Sequence, residues 1–411
     1  MRLNYRRLGE YIQVVNIRNT NLKGEILLGV SIKKILMPSI ANTIGTNMAT
    51  YKLIKKNQFA YGPVTSRNGD KISVAQLVEY DNAIVSQAYV VFQVIDTEEL
   101  DPEYLMMWFR RPEFDRYARF KSHGSARETF DWDEMCETEL PVPSIKKQRE
   151  IVKEYNTIVN RISLNETLNQ KLEETAQALY KQWFVDFEFP NAEGKPYKSS
   201  GGKMKFNEEL DMEIPEGWSL GNIGDVVENL GGGTPKTEVT EYWENGTINW
   251  FSPTDITNSK YIFCKESNKN ITDLGLVKSS AKIFPKYSLM MTSRATIGKI
   301  GINTKKASTN QGFITLIPNQ KYQLYTLVEW LKTCLNEVEQ LASGSTFKEI
   351  SKTDFRNIKI YNTDMFGLLE PNLMLIYKKI ENISQQSLIL QELQSLLLAK
   401  MSKVETKKVV V

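Results

Sequence analysis

Two stretches of the chain place apolar residues at alternating steps of four and three, the spacing of a long helix whose apolar seam packs against another helix. The first seam consists of Ile151, Tyr155, Ile158, Ile162, Asn165, Asn169, Leu172, Ala176, Leu179 and Trp183. The second consists of Leu373, Ile376, Ile380, Ile383, Ser387, Leu390, Gln394, Leu397 and Met401. Each seam therefore predicts one long helix that carries two polar interruptions.

Each predicted helix follows a segment in which short β-like runs alternate with Gly, Asn and Ser turns. In the first segment, 58–61 and 88–94 are typical of strands, and Pro102–Phe120 is predicted as a helical stretch. A second such segment runs from Trp218 to Tyr361. Both segments are therefore predicted to be mixed α+β domains.

The two halves of the chain repeat each other, with an offset that drifts between about 215 and 224 residues. Leu8-Gly9-Glu10 corresponds to Ile223-Gly224-Asp225, Gln87-Ala88-Tyr89-Val90 to Gln311-Gly312-Phe313-Ile314, and Gly124-Ser125 to Gly344-Ser345. Between such anchors the halves differ widely. A scaffold that is kept twice while its surface changes is typical of a protein that reads two targets.

We predict an α+β fold with two α+β domains in tandem repeat, separated by two long helices that pair as an antiparallel coiled coil with pseudo-twofold symmetry. The expected boundaries are 1–145 for the first domain, 146–189 for the first long spacer helix, 190–216 for a Gly/Ser/Pro-rich connector, 217–364 for the second domain, 365–405 for the second long spacer helix and 406–411 for a C-terminal tail. The polar seam positions fix the register of the helix pair if they meet across it. In the alternative interpretation they are only weak spots in amphipathic helices.

Composition supports a folded chain of ordinary type, with 41% hydrophobic and 25% charged residues among 411. No apolar run reaches the length of a membrane span and no signal peptide is recognisable, so we expect a cytoplasmic protein without a membrane partner. The three cysteines form no CxxC pair, which argues against a disulfide framework or a structural zinc. Because the net charge is only +3, any contact with nucleic acid must come from local patches.

Residue patterns for catalysis are nearly absent. His123 is the only histidine, and no group of residues has the spacing of metal ligands. The run 231–236, Gly-Gly-Gly-Thr-Pro-Lys, lacks the Gly-Lys-Ser/Thr ending of a phosphate-binding loop and predicts a turn. We therefore expect no catalytic residue, metal or cofactor.

Several short sequence motifs occur in a definite order along the repeat. They are Leu-Pro-Val-Pro-Ser-Ile-Lys-Lys-Gln-Arg-Glu-Ile-Val at 140–152, Leu-Glu-Glu-Thr-Ala-Gln-Ala-Leu-Tyr-Lys at 172–181, Trp-Phe-Val-Asp-Phe at 183–187, Lys-Met at 203–204, Ile-Pro-Glu-Gly-Trp at 214–218, Ser-Arg-Ala-Thr-Ile-Gly-Lys at 293–299 and Ser-Gly-Ser-Thr-Phe-Lys at 343–348. Together they resemble the specificity subunit of type I restriction-modification systems over nearly the whole chain. Two departures stand out: Leu369-Glu370-Pro371-Asn372 replaces the usual Pro-x-x-x-x-Gln before the second helix, and the first half lacks a close match to Ser293-Arg294-Ala295-Thr296.

The resemblance implies a non-catalytic protein that binds double-stranded DNA. Each globular domain would be a target recognition domain that reads one block of an asymmetric bipartite sequence. The long helices would space these domains and dock two methyltransferase subunits, and two restriction/translocase subunits would join the complex.

The residues expected to contact DNA lie in polar loops of both halves, because base edges and phosphates are contacted mainly by Arg, Lys, Asn, Gln, Ser and Thr. The candidates are Thr65, Ser66, Arg67, Asn68, Lys71, Lys121, His123, Ser125 and Arg127 in the first half, and Thr292, Ser293, Arg294, Thr296, Ser345, Thr346 and Lys348 in the second. Arg67 and Arg294 are the best candidates for guanine, since Arg can bond to O6 and N7 together. For each loop the plain alternative is a solvated turn without a ligand.

Two other functions remain open on the sequence. One is a tandem-domain coiled-coil scaffold or adaptor that does not bind DNA, and the other is a solitary modification or restriction enzyme with an unrecognised site. Co-purification distinguishes the adaptor, since only a specificity subunit should bring down a methyltransferase encoded beside it.

Overall fold

The computed structural model describes residues 5–22, 26–40, 45–66, 68–124, 127–344 and 348–403. The chain forms two compact units. Unit 1 comprises residues 1–163 and 388–411, and unit 2 comprises residues 164–387. Both divisions fall within the long helices, so each unit contains one part of each long helix.

Unit 1 contains an α+β domain. Its strands are β1 (Tyr5–Arg7), β2 (Ile12–Val15), β3 (Leu27–Val30), β4 (Leu36–Pro38), β5 (Lys52–Lys55), β6 (Phe59–Tyr61), β7 (Val74–Gln76), β8 (Asn82–Val85), β9 (Val90–Val94) and β10 (Glu139–Pro141). Its helices are α1 (Pro102–Phe109), α2 (Pro112–Lys121), α3 (Trp132–Cys136) and the first long helix α4 (Ile145–Phe184), which continues into unit 2. The strand orders are β2-β9-β6-β7, β4-β3-β8-β5 and β1-β10.

The helical stretch predicted from Pro102 to Phe120 is two helices. α1 ends at Phe109, and α2 begins at Pro112. Proline lacks a backbone N–H, and its ring forces the preceding residue toward extended backbone. Arg111 accordingly has φ −71° and ψ 135°, which ends one helix before the next begins.

Unit 2 contains a second α+β domain. Its strands are β11 (Met204–Asn207), β12 (Met212–Pro215), β13 (Ser219–Asn222), β14 (Glu228–Gly231), β15 (Ile248–Phe251), β16 (Phe263–Cys264), β17 (Lys269–Ile271), β18 (Leu289–Thr292), β19 (Ile300–Asn303), β20 (Ala307–Thr309), β21 (Phe313–Ile317) and β22 (Lys359–Asn362). Its helices are α5 (Ile223–Val226), α6 (Pro253–Thr257), α7 (Asp273–Val277), α8 (Leu324–Thr333), α9 (Leu335–Leu341), α10 (Lys352–Arg356) and the second long helix α11 (Met365–Lys400), which continues into unit 1. The strand orders are β14-β21-β18-β19-β16, β17-β15-β20, β13-β22 and β11-β12.

The two units share the central part of their topology. The order β2-β9-β6-β7 in unit 1 corresponds to β14-β21-β18-β19 in unit 2, and the pair β1-β10 corresponds to β13-β22. Trp108 and Phe109 on α1 are buried, as are Trp330 and Leu331 on α8, so these aromatic-rich segments belong to the cores. The prediction of two α+β domains in tandem repeat is confirmed.

In unit 2 the polar seam positions meet across the helix pair. Asn165 Nδ2 donates to Ser387 Oγ at 3.0 Å, and Asn169 Nδ2 donates to Ser384 Oγ at 3.1 Å. The partner's number falls as the first number rises, so the two helices run antiparallel in this unit. Because a buried amide is stable only where it finds a partner, these bonds favour one register over the others.

In unit 1 the helix pair joins the core of the α+β domain. Gln394 Nε2 donates to the Tyr155 hydroxyl at 2.9 Å. Leu398 and Met401 are buried in the same apolar cluster as Val152 and Tyr155. All four polar interruptions predicted in the seams therefore have cross-helix partners, which favours the register interpretation over the weak-spot alternative.

Gln148 and Glu370 play equivalent roles near the starts of the long helices. Gln148 Oε1 accepts the N–H of Asp101, the capping residue of α1, at 2.9 Å. The Glu370 carboxylate accepts the N–H groups of Tyr325 and Thr326 in the first turn of α8, at 3.1 and 2.8 Å. Such N–H groups have no partner within their own helix. Glu370 therefore replaces the usual glutamine and accepts the same kind of backbone hydrogen bonds with its carboxylate.

The segment predicted as a connector is folded onto unit 2. β11 and β12 form an antiparallel pair. The Phe189 ring is buried and stacks on the rings of Tyr197 and Trp218, with centroids 4.6 and 5.2 Å apart. Gly/Ser-rich composition predicts a flexible coil, but these aromatic rings supply enough apolar contact to hold the segment in place.

Candidate nucleic-acid interface

In unit 1, two of the predicted loops lie side by side. Residues 62–73 connect β6 to β7, and residues 122–131 connect α2 to α3. Val64 forms an antiparallel bridge with Thr129, which also bridges His123. The two loops therefore form one continuous surface.

Unit 2 has the same arrangement. Residues 293–299 connect β18 to β19, and residues 342–351 connect α9 to α10. Arg294 forms an antiparallel bridge with Glu349, which also bridges Ser343. The structure thus brings together the two predicted loops of each half.

The backbone bonds of the two loop pairs correspond one to one, which locates the missing counterpart of Ser293-Arg294-Ala295-Thr296. It is Pro63-Val64-Thr65-Ser66, at an offset of 230 residues (294 − 64) that exceeds the range set by the sequence anchors. The sequence does not show this match because the paired positions keep their backbone partners and change their side chains. The corresponding bonds are Thr65 N–H to the Glu128 carbonyl (3.0 Å) and Phe130 N–H to Pro63 (2.8 Å) in unit 1, and Ala295 N–H to Lys348 (3.1 Å) and Ile350 N–H to Ser293 (3.1 Å) in unit 2.

The Gly-Ser anchors of the repeat lie in these loops for a steric reason. Gly124 has φ +131° and Gly344 has φ +124°, values that residues with a side chain rarely adopt. A Cβ atom on Gly124 would lie 2.3 Å from the carbonyl oxygen of Arg127. Glycine is therefore required for the turn that brings the second loop back to the first.

Three of the candidate residues are buried and hold the loops in shape. Thr65 is 2% exposed and its hydroxyl donates to the Glu128 carbonyl at 3.2 Å. Thr292 and Ser293 are 0% and 2% exposed, and the Thr292 hydroxyl accepts the N–H of Lys299 at 3.0 Å. In this conformation these side chains are turned away from solvent and bond within the protein, so they hold the loops in shape.

The other candidates divide by exposure. Ser66, Lys71, His123, Arg127, Arg294, Thr296 and Lys348 are exposed, and Asn68 and Lys121 are half-buried. Arg67, Ser125, Ser345 and Thr346 lie outside the described residues. The exposed and half-buried candidates leave both loop pairs rich in hydrogen-bond donors and positive charge.

Carboxylates accompany the cations of both loop pairs. Arg294 Nε lies 2.6 Å from Glu349 Oε1, Lys121 Nζ lies 3.1 Å from Glu134 Oε2, and His123 lies 3.7 Å from Asp131. The hydrogen bond to Glu134 raises the pKa of Lys121. Exposed pairs of this kind contribute little to stability, so they orient the cations without preventing exchange for another acceptor.

The sequence interpretation missed the residues that bridge the loops. Val64, Thr129 and Glu349 are not among the candidates, although each lies next to or between them. One signal was present, because Thr129 and Glu349 each follow the anchor glycine by five residues (129 − 124 and 349 − 344). The pairing itself joins distant segments and becomes visible only in the fold.

The described residues contain no group of three or more His, Cys, Asp or Glu side chains arranged to hold a metal ion. Residues 232–236 follow β14 without regular structure, and a Cβ on Gly232 would lie 2.0 Å from the carbonyl oxygen of Asn310. Glycine is therefore required at this position because the backbone of the run packs directly against the backbone at Asn310. Across the part of the chain that the structure describes, no helix is both long and apolar enough to cross a membrane.

A family model described as the Type I restriction modification DNA specificity domain matches residues 6–174 and 215–362. The specificity subunit of the type I restriction enzyme MjaIX from Methanocaldococcus jannaschii is 35% identical over 161 residues, which cover 38% of this chain and 37% of that protein. The specificity subunit of the type I restriction enzyme HindI from Haemophilus influenzae is 23% identical over 422 residues, which cover 90% of each chain.

A crystal structure of the S subunit of a type I restriction-modification system from M. genitalium has a similar fold. It superimposes with a TM-score of 0.56 at 16% identity, covering 97% of this chain and 95% of that one. At this identity the similarity concerns the fold alone.

Proposed function

The chain belongs to the family of type I restriction-modification DNA specificity proteins, and from that premise we propose that it selects the DNA sequence for a type I restriction-modification complex. The observation that carries the proposal is the repeated loop pair. The same backbone bonds present Val64 and Thr129 in unit 1 but Arg294 and Glu349 in unit 2. One scaffold with two sets of side chains is suited to bind two different sequences of the same polymer.

Each unit reads one block of an asymmetric bipartite target in double-stranded DNA. Residues 1–145 and 217–364 are the two target recognition domains. The exposed donors, such as Arg294 and Lys348, contact base edges and phosphates, whereas buried Thr65 and Thr292 hold the loops. Phosphate contacts position the protein and base contacts carry the specificity. With a net charge of only +3, much of the phosphate neutralisation falls to partner subunits.

The chain has no reaction of its own in this proposal. Methylation and cleavage belong to its partners, which are two methyltransferase subunits and two restriction/translocase subunits. The relatives support this division, because those named above are specificity subunits rather than catalytic ones. The chain determines the DNA sequence at which the other subunits act.

The exposed faces of the long helices α4 and α11 bind the methyltransferase subunits. In unit 1, α11 carries Ile389 and Leu396, which are 65% and 58% exposed. These residues are 7 positions apart (396 − 389), so they share one face of the helix. Exposed apolar residues aligned in this way are typical of a surface that a partner protein covers.

A domain exchange tests the proposal. Residues 1–145 are replaced by the matching region of a relative, and the full chain is expressed with its methyltransferase partner. Long-read sequencing of methylated DNA should then show a new first block beside an unchanged second block. The matched exchange of 217–364 should change only the second block. If both blocks change together in either chimera, or if neither changes, the assignment of one block to each unit is wrong.

A further inference from the structure

The register of unit 2 extends beyond its strands into the candidate interface. Thr292 on β18 pairs with Phe313 on β21. The Ser293 N–H continues this pairing by donating to the Gly312 carbonyl at 2.8 Å. Arg294 follows Ser293 directly, while Gly312 and Gln311 lie in the turn that precedes β21. Because Arg294 bridges Glu349, and Glu349 bridges Ser343, three residues form a cross-strand row: Arg294, Glu349 and Ser343.

Unit 1 repeats the row position by position. Val64 bridges Thr129, and Thr129 bridges His123. The cross-strand row of unit 1 is therefore Val64, Thr129 and His123. The three positions differ between the two units in size, charge and polarity.

The geometry of a cross-strand row suits the floor of a groove in DNA. Residues directly opposite each other on paired segments project to the same face, and neighbouring segments lie about 4.8 Å apart. Two such steps cover about 10 Å, within the width of about 12 Å of the major groove. Arg294 and Ser343 are exposed and Glu349 is half-buried; His123 is exposed, and Val64 and Thr129 are half-buried.

We propose that these two rows are the base-reading positions of the protein, with side-chain identity at each position setting the base preference of that block. The inference rests on the proposed function and narrows the candidate base contacts from whole loops to six positions. In unit 2, Arg294 bonds to guanine, and Glu349, whose Oε1 lies 2.6 Å from Arg294 Nε, is a positioning residue for it. In unit 1, Val64 and the methyl group of Thr129 present apolar surface suited to the methyl group of thymine.

Gln311, whose neighbour Gly312 accepts the N–H of Ser293, has an orienting partner in unit 2. The Thr234 hydroxyl donates to Gln311 Oε1 at 2.6 Å. This bond turns the amide so that its Nε2 is left to donate, and a glutamine amide can recognise adenine through N6 and N7. Thr234 comes from the glycine run at 231–236, and the close backbone packing of that run places it beside Gln311.

A transplant of two row positions tests the proposal. The variant Val64→Arg/Thr129→Glu places the unit 2 pair into unit 1 of the full chain, which is assembled with its methyltransferase partner. The methylated sequences are then read from a library with both blocks randomised. One position of the first block should acquire a preference for guanine of at least about tenfold, and the second block should stay unchanged. The matched control Val78→Arg alters an exposed valine of unit 1 outside the row and should leave both blocks unchanged.

Three further variants keep the test decisive if the transplant reduces activity. Arg294→Val/Glu349→Thr should remove the guanine preference at one position of the second block only. Glu349→Ala should weaken that preference, and Glu349→Gln should recover part of it, because glutamine still offers an oxygen to Arg294. A merely structural role for Glu349 would lower methylation of all sequences alike.

Unchanged blocks in both paired variants would overturn the row, as would a change in both blocks or the same change with Val78→Arg. A wild-type complex whose methylation shows no sequence dependence on this chain would refute the proposed function itself. The two failures are therefore distinguishable.

Discussion

Asp115 joins three parts of unit 1, and its replacement should loosen one of the candidate loops. Its Oδ1 accepts a hydrogen bond from Lys34 Nζ at 2.6 Å and one from the N–H of Ile72 at 3.2 Å. Lys34 Nζ also donates to the Phe109 carbonyl at 2.6 Å. Ile72 lies at the end of the loop that carries Val64, so the carboxylate anchors that loop to α2.

The magnitude follows from burial. Lys34 and Asp115 are 6% and 9% exposed, and removing one partner of a buried ion pair costs about 3–5 kcal/mol. Asp115→Ala should therefore destabilise unit 1 by that amount. Burial, the largest influence, lowers the pKa of Lys34, so the pair only partly offsets the loss of hydration of the ammonium. The double replacement Lys34→Met/Asp115→Leu should consequently lie within about 2 kcal/mol of the wild type.

The assay is urea unfolding of the full chain, followed by amide hydrogen exchange. Exchange rates in β6, β7 and α2 report the stability of unit 1 separately from that of unit 2. Lys305→Met is the matched control, because it breaks an exposed pair with Glu266 (3.5 Å) in unit 2 and should cost less than about 1 kcal/mol. A cost below about 1 kcal/mol for Asp115→Ala would refute the reasoning. Additive effects of the two single replacements in the double variant would refute it equally.

Three further predictions concern turn geometry, pH dependence and assembly. Gly124→Ala should lower the melting temperature and the free energy of unfolding, the latter by at least about 1 kcal/mol, because the new Cβ would lie 2.3 Å from a carbonyl oxygen. Gly69→Ala, at φ +61° with open space around it, should lower the free energy of unfolding by less, and equal losses would contradict the steric argument. Burial raises the pKa of the Glu329 carboxyl group above its value in the unfolded chain. The protonated carboxyl group therefore favours the folded chain, and its contribution to the free energy of unfolding falls as the pH rises from about 4.3, the unfolded value, through the folded pKa. Glu329→Gln should flatten that part of the profile of urea midpoint against pH, and an unaltered slope would count against this assignment. Lys171→Glu reverses an exposed charge on α4, which is paired with Glu174 at 2.8 Å, and should weaken binding of the methyltransferase subunits in light scattering while leaving the melting temperature nearly unchanged; unaltered affinity would argue against this docking face.

The long helices and their pairing could be predicted because they depend on periodicity. An apolar seam specifies which face is buried wherever the helix lies, and polar seam residues such as Asn165 call for a partner on the facing helix. The break at Pro112 was also encoded, since proline acts through its own ring and neighbours. The role of Glu370 was not recognisable, because its partners on α8 lie 44 and 45 residues away in sequence.

The candidate interface could be predicted only in outline. Polar loops with Gly-Ser anchors indicated the region, but residue type alone did not separate exposed Arg294 from buried Thr292, since both lie in the same short segment. The correspondence of Val64 to Arg294 was hidden for a different reason. Backbone bonds define the corresponding positions, and the two halves carry different side chains at them.

The central claim is that this chain sets the methylated sequence through two separate recognition domains. The most direct measurement is the genome-wide methylation pattern of the host with and without the gene, read by long-read sequencing of native DNA. The account predicts that one asymmetric motif, two specific blocks separated by a non-specific spacer, is methylated when the chain is present and disappears when it is removed. An identical pattern in both strains, or the loss of a single undivided motif, would contradict it.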